Sequence, residues 1–258
     1  MTTPITRAAI RPGFDDRPSR RRIGLILLAT DHTSEQDFAR MVAGPDLAVH
    51  ATRIAYANPV TPATLRAAAP HLAEAAALIL PDEPLDAIVF SCTSACVVIG
   101  DAAVSQAILQ GKPGTQVITP PDAALSGLAA LGARRVSVLT PYTVETSEPM
   151  ARYFTARGLE LTRFTCLGLE DDRVMARLSR RTIVEAAIAA TAPQSDALFI
   201  SCTALRSAAA VDEIEAAIGR PVVTSNQATA WAALSLCGAP IDARGVGALM
   251  RLGRGLAA

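Results

Sequence analysis

"DAIVFSCTSA" at residues 86–95 returns as "DALFISCTAL" at residues 196–205, an apolar run that ends each time in Ser-Cys-Thr. The echo is not isolated. "SRRRIGLILLATDHT" (19–33) is matched by "ARRVSVLTPYT" (133–143), and "TQVITPPDAALSGLAALG" (115–132) by "RPVVTSNQATAWAALSLCG" (220–238), in the same order and roughly 110 residues apart. Three ordered echoes at one spacing mark an internal duplication. The chain is therefore expected to fold into two like halves.

Within each half, apolar runs of strand length alternate with longer helical patterns, the signature of βαβ units around a parallel sheet. "RIGLILLAT", "LAVHATRIA", "DAIVFSC" and "TQVITP" read as the four strands of the first half. Thr33 or Ser34 is expected to cap the first helix, and Thr61 the next, with Pro62 at its first position. Pro70 predicts a kink or a restart. The organisation expected is an arm over 1–22, a first α/β lobe over 23–132, a second over 133–240, and a segment over 241–258 crossing back onto the first lobe. The fold class is α/β, two pseudo-twofold lobes, each a parallel sheet flanked by helices.

Composition narrows the partners. Lysine plus arginine and aspartate plus glutamate both number 24, so the chain lacks the positive field of a nucleic-acid or anionic-membrane binder. The longest apolar stretches fall short of the ~20 residues of a membrane span. The Pro-, Arg- and Asp-bearing start has no apolar region of a secretory signal and reads as a loose or subunit-wrapping arm. Five cysteines without a CxxC pair, beside three histidines, give neither zinc spacing nor a disulfide framework and point to the reducing cytoplasm. A small molecule is the partner expected.

In open α/β sheets ligands bind beyond the carboxyl ends of the strands. Cys92 and Cys202 both end a strand, so two lobes facing each other aim two thiols at one cleft. A lone strand-end cysteine is usually a small buried hydrophobe, and that reading holds for Cys96, Cys166 and Cys237. Repetition at equivalent points favours chemistry for the other two. A thiol near helix-start donors has a lowered pKa, and thiolate formation is expected at either site. Two opposed thiols can epimerise a carbon, one removing the proton and the other returning it to the opposite face. Alternatively one thiolate adds to a double bond, allows rotation and leaves.

These residues resemble a known family. "SCTSA" and "SCTALR", with "LTPYT", "GLEDDRVMARLS" and "GRPVVTSNQATAW", are similar to the aspartate/glutamate racemase superfamily, in the branch that holds the maleate cis-trans isomerases and the ectoine-utilisation protein A group. "GLEDDRVMARLS" and "ISCTALR" favour the latter group. The resemblance implies a catalytic pair, Cys92 and Cys202, no pyridoxal phosphate or other cofactor, no metal, and a homodimer. It also implies that Tyr142 contacts a substrate carboxylate, which backbone donors around Ser94 and Thr203 help to hold.

Two positions depart from the maleate isomerase pattern, which has asparagine where Asp31 and Asp172 stand. Extra anionic side chains would repel a dicarboxylate and attract an ammonium or amidinium. A zwitterionic or cationic substrate is therefore expected, such as a diamino acid derivative or ectoine, unless Asp31 merely caps a helix and Asp172 lies in a solvated acidic turn. Thr30, Thr93, Thr143 and Thr203 stand at strand ends, where they could donate to a carboxylate or cap the helices that follow. Asn226 either lines the cleft or starts its helix, and Trp231 reads as core. The leading expectation is a cofactor-independent racemase, epimerase or isomerase. A covalent cis-trans isomerase, a non-catalytic binding module and a lyase using one cysteine are the alternatives.

Overall fold

The computed structural model describes residues 3–241 and 247–253. The first half contains β1 (Arg21–Leu28), α1 (Ser34–Met41), β2 (Leu47–Ile54), α2 (Pro62–Arg66), α3 (Leu72–Leu78), β3 (Ala87–Ser91), α4 (Thr93–Ile99), α5 (Asp101–Gly111), β4 (Gln116–Ile118) and α6 (Pro120–Ala130). The second contains β5 (Arg135–Thr140), α7 (Val144–Ala156), β6 (Glu160–Cys166), α8 (Asp172–Met175), α9 (Arg180–Ala190), β7 (Ala197–Ile200), α10 (Val211–Ile218), β8 (Val222–Thr224) and α11 (Ser225–Leu236), followed by α12 (Gly247–Arg251). The two sheets run β2-β1-β3-β4 and β6-β5-β7-β8, every pairing parallel. The duplicated text thus becomes a duplicated topology.

The central strands are buried on both faces, which is why they read as unbroken apolar runs rather than alternating ones. Register carries the repeat to the site. Ile26 pairs with Phe90 in the first sheet and Leu139 with Ile200 in the second, each two residues short of its cysteine. The strands of the first sheet all precede Gly132 and those of the second all follow it. Gly132, at φ +70°, supplies the left-handed residue that ends α6.

Local signals act as their chemistry requires in most places. Thr61 caps α2, and its hydroxyl and that of Thr64 complete a reciprocal capping box. At Pro70 the helical pattern restarts: α2 ends at Arg66, a 3-10 turn covers Ala69–His71, and α3 follows. At α1 the expected cap is corrected. Thr33 holds the cap position without a side-chain bond, and the Asp31 carboxylate accepts from the Thr33 and Ser34 amides instead.

Residues 3–20 form no strand or helix, and Ile5, Ile10 and Phe14 are exposed. β1 starts at Arg21, two residues before the start expected for the first lobe. Of the segment 241–258, the described helix α12 is tied to α10 by Arg251 on Asp212 and Glu215, while Leu249 lies against Gly127 of α6. Its ionic contacts belong to the second lobe rather than the first, because the acids that complement Arg251 stand there. Trp231 is fully buried in α11, its indole N–H donating to the Gly253 carbonyl at 3.0 Å.

α3 and α5 pack in close approach at Gly111, where a Cβ would stand 1.9 Å from the Ala73 carbonyl oxygen. Gly111→Ala is expected to cost about 3 kcal/mol, read as a lower urea midpoint at unchanged slope, because backbone cannot yield as a side chain does. A midpoint equal to that of wild type would show that the helices separate freely.

Candidate active site

The carboxyl ends of β1, β3, β5 and β7 converge on a small pocket between the halves. Cys92, Ser94, Tyr142, Asp172, Cys202 and Thr203 line it, with Asp31 at one side. Leu28, Tyr56, Val60, Leu65 and Ala204 complete the wall. Both thiols therefore face one enclosed space.

Cys92 occupies the N-cap position of α4 with ordinary extended backbone, φ −153°. Its sulfur stands 3.7 Å from the Ser94 hydroxyl. Cys202 differs from its repeat partner. It has φ +98°, a left-handed conformation costly to a residue with a Cβ, and the chain after it makes turns and a 3-10 segment before α10 begins at Val211. The expectation that both cysteines start a helix thus holds for Cys92 alone. Tyr142, from the second half, lines the pocket beside Cys202 and faces Ser94 of the first half across it.

The expectation of easily formed thiolates is corrected. Burial pushes the Cys92 thiol up to about 12 and raises Cys202 still further, and in both cases the Asp172 carboxylate adds to the rise. Burial likewise raises Tyr142 and Tyr56. No Lys, Arg or His lines the pocket to offset this. At rest the site holds two neutral thiols beside an ionisable carboxyl.

The two aspartates play different parts. Asp31 spends both oxygens locally, on the Thr33 and Ser34 amides at 2.8 and 2.9 Å and on the Ser34 hydroxyl at 2.6 Å. Its place is taken in the second half by Thr143, whose hydroxyl caps α7, so the helix-cap reading accounts for Asp31. Asp172 is 6% exposed and accepts from the Thr30 hydroxyl at 2.7 Å through one oxygen, with no partner for the other among the described residues. Burial lifts its carboxyl to about 6, against the Thr30 bond. Asp171 beside it is the solvated member of the turn, held low by Arg173.

The remaining candidates divide between pocket and seam. Thr203 lines the pocket and donates to the Ser91 carbonyl at 3.0 Å. Thr93 donates across the halves to Ser225, and Thr30 reaches the pocket through Asp172. Asn226 does not line the pocket. Its amide donates to Asp37 at 2.8 Å and to the Thr203 carbonyl at 2.9 Å. Sequence reasoning missed Tyr56, which enters the wall from the turn after β2 with its hydroxyl 3.5 Å from Thr64. It also missed Asn58, whose side chain joins the Asp171 carboxylate and the Asp172 amide. Neither residue has a counterpart in the repeated motifs that drew attention to the others. Among the described residues no group of three His, Cys, Asp or Glu side chains is placed to hold a metal, and no single helix is long and apolar enough to cross a membrane.

Fold and site together define a class: two-lobed α/β proteins whose strand-end cysteines face one closed cleft. The family model for arylmalonate decarboxylase matches residues 45–250, and the chain belongs to that family. It is 37% identical to the arylmalonate decarboxylase of Bordetella bronchiseptica over 136 residues, 52% of this chain and 55% of the relative. It is 28% identical to the maleate isomerase of Nocardia farcinica over 242 residues, 90% and 96% of the two chains. Among solved structures, a cysteine-to-serine variant of the Nocardia farcinica maleate isomerase bearing a covalently bound succinylcysteine intermediate superposes with a TM-score of 0.81 at 26% identity, covering 90% of this chain and 98% of that one. A liganded arylmalonate decarboxylase variant gives 0.80 at 30% identity over 89% and 98%.

Two predictions follow from the strained and buried groups. Glycine tolerates φ +98° and alanine does not, so Cys202→Gly should be more stable than Cys202→Ala by about 1 kcal/mol; equal denaturation curves would show that the turn relaxes. For Asp172, a folded value above the unfolded one means that proton binding favours the fold. The contribution is complete below about 4 and lost as pH rises through about 6. Asp172→Asn, which cannot ionise, should thus gain up to about 3 kcal/mol on wild type at pH 8 and nothing near pH 3.5. A gain independent of pH would show that the carboxyl is not raised.

Proposed function

We propose that the protein is a cofactor-independent isomerase, a racemase or epimerase, acting on a small zwitterionic carboxylic acid through Cys92 and Cys202. The observation that carries the reading is the pairing of two buried thiols with Asp172 in a pocket that offers no cation. A carboxylate would be held by neutral donors, the Tyr142 hydroxyl and the amides around Ser94 and Thr203. An ammonium or amidinium beside Asp172 would offset the part of the rise that Asp172 adds to both thiols, and its positive charge would favour a thiolate against the cost of burial.

In the step, the thiolate of one cysteine takes the proton from the carbon next to the carboxylate, and the opposite thiol gives its own proton to the other face. The product leaves with the two cysteines in exchanged protonation states, and a second turnover or solvent restores them. Amino-acid-like compounds, including ectoine and its ring-opened diaminobutyrate derivatives, have the charges this site would select. A role in ectoine utilisation is the specific form of the proposal. Five free cysteines suit a reducing cytoplasm, and a homodimer is the assembly proposed with it.

A second reading is favoured by similarity to maleate isomerases over nine-tenths of the chain. The Cys92 sulfur would add to one olefinic carbon while Cys202 protonates the other. After rotation about the new single bond, Cys202 would take the proton back and the carbon–sulfur bond would break. A dicarboxylate suits this pocket only with Asp172 protonated, below about pH 6.

Proton NMR in deuterium oxide separates the readings, using ectoine, its diaminobutyrate derivatives, aspartate, glutamate and maleate. Exchange at the carbon next to a carboxylate, reduced by at least about a hundredfold in Cys92→Ser and in Cys202→Ser, is the result expected. Conversion of maleate instead, faster in Asp172→Asn, would replace the zwitterion reading with the second. Binding without exchange or isomerisation of any compound would sink both.

A further inference from the structure

The turn that carries Cys202 is over-determined from several sides. Ser225 accepts from the Cys202 amide at 3.1 Å, Thr203 donates to the Ser91 carbonyl at 3.0 Å, and Thr33 donates to the Ala204 carbonyl at 2.7 Å. The fourth tie runs through Asn226, whose amide donates to the Thr203 carbonyl and to Asp37. Asp37 comes from α1 in the other half, is 1% exposed, and pairs its second oxygen with Arg40. Burial raises the Asp37 carboxyl, and the Asn226 and Arg40 bonds pull it back. A buried, charge-assisted bond across the halves is a stiff one.

Cys92 needs no such support. Its backbone is extended, its strand pairs in register with β1, and a regular helix follows it. Asn226 and Asp37 make no hydrogen bond to Cys92 or to the residues beside it, whereas Ser225 bonds to both sides, accepting also from Thr93 at 2.7 Å. A left-handed residue with a Cβ persists only where its surroundings fix it. We propose that Asp37 and Asn226 are a positioning pair that holds the Cys202 turn, and that Cys92 is independent of them. The catalytic part of this inference rests on the isomerase reading; the geometric part does not.

The test is alkylation by iodoacetamide, resolved at each cysteine by peptide mass spectrometry. In Asn226→Ala the rate at Cys202 should rise about tenfold while that at Cys92 stays within about twofold. Ser225→Ala should alter both. Asp37→Asn keeps the shape of the side chain and should act in the same direction, more weakly; it decides the matter if Asn226→Ala does not fold. With an identified substrate, kcat for inversion should fall about tenfold in Asn226→Ala at nearly unchanged KM, while deuterium exchange at the hydrogen facing Cys92 continues. Equal changes at the two thiols, or none at either, overturn the proposal. Because labelling needs no turnover, a wild-type protein that isomerises nothing would defeat the function proposed above and leave the labelling asymmetry intact.

Discussion

Two parallel sheets that meet at their strand ends leave carbonyls and amides inside protein, away from water, and each must find a partner. The seam between the halves meets that demand with short hydroxyl and amide side chains. Thr33, Thr203 and Asn226 donate to carbonyls of the opposing half or of the Cys202 turn, while Ser225 and Thr93 join the two cysteine segments. Farther out, the Val60 amide donates to the Glu170 carbonyl and Thr146 to that of Val60. Everything else in the site depends on this seam: it brings the two thiols into one space and buries them there.

Closure has an electrostatic consequence. Buried and with no cation in the pocket lining, the thiols and Tyr142 are held neutral, and the Asp172 carboxyl is lifted to about 6. The site therefore stores the cost of ionisation until a ligand offsets it. A pocket with this balance discriminates by charge as well as by shape, since a second anion adds to the existing repulsion and a cation relieves it. Burial is the main cause at both cysteines, and the same carboxylate adds to the rise at each.

Asp31 shows how close the sequence reading came and where it stopped. Its pairing with Asp172 as a second anionic contact came from the family resemblance, yet the amides of α1 claim its oxygens, as the Thr143 hydroxyl serves α7. Of the two readings of Asn226, the start of its helix is the one the fold shows, and both Thr93 and Asn226 bond to protein. Tyr56 and Asn58 escaped notice because they lie in a connecting turn with no repeat and no motif; Tyr56 enters the pocket wall, and Asn58 finds its partners, Asp171 and the Asp172 amide, only in the second half.

Apolar runs of fixed length, their repetition at one spacing and the cysteines at their ends were enough to determine two parallel α/β halves with thiols at the carboxyl edges, because strand burial and strand polarity are properties of the chain itself. The unequal state of the thiols was not legible there. Ser-Cys-Thr is the same text in both copies, but Cys202 is left-handed and Cys92 is not, and both are raised by a carboxylate far away in sequence. Those features come from desolvation and from contacts between the halves, which exist only once the two sheets have closed on each other.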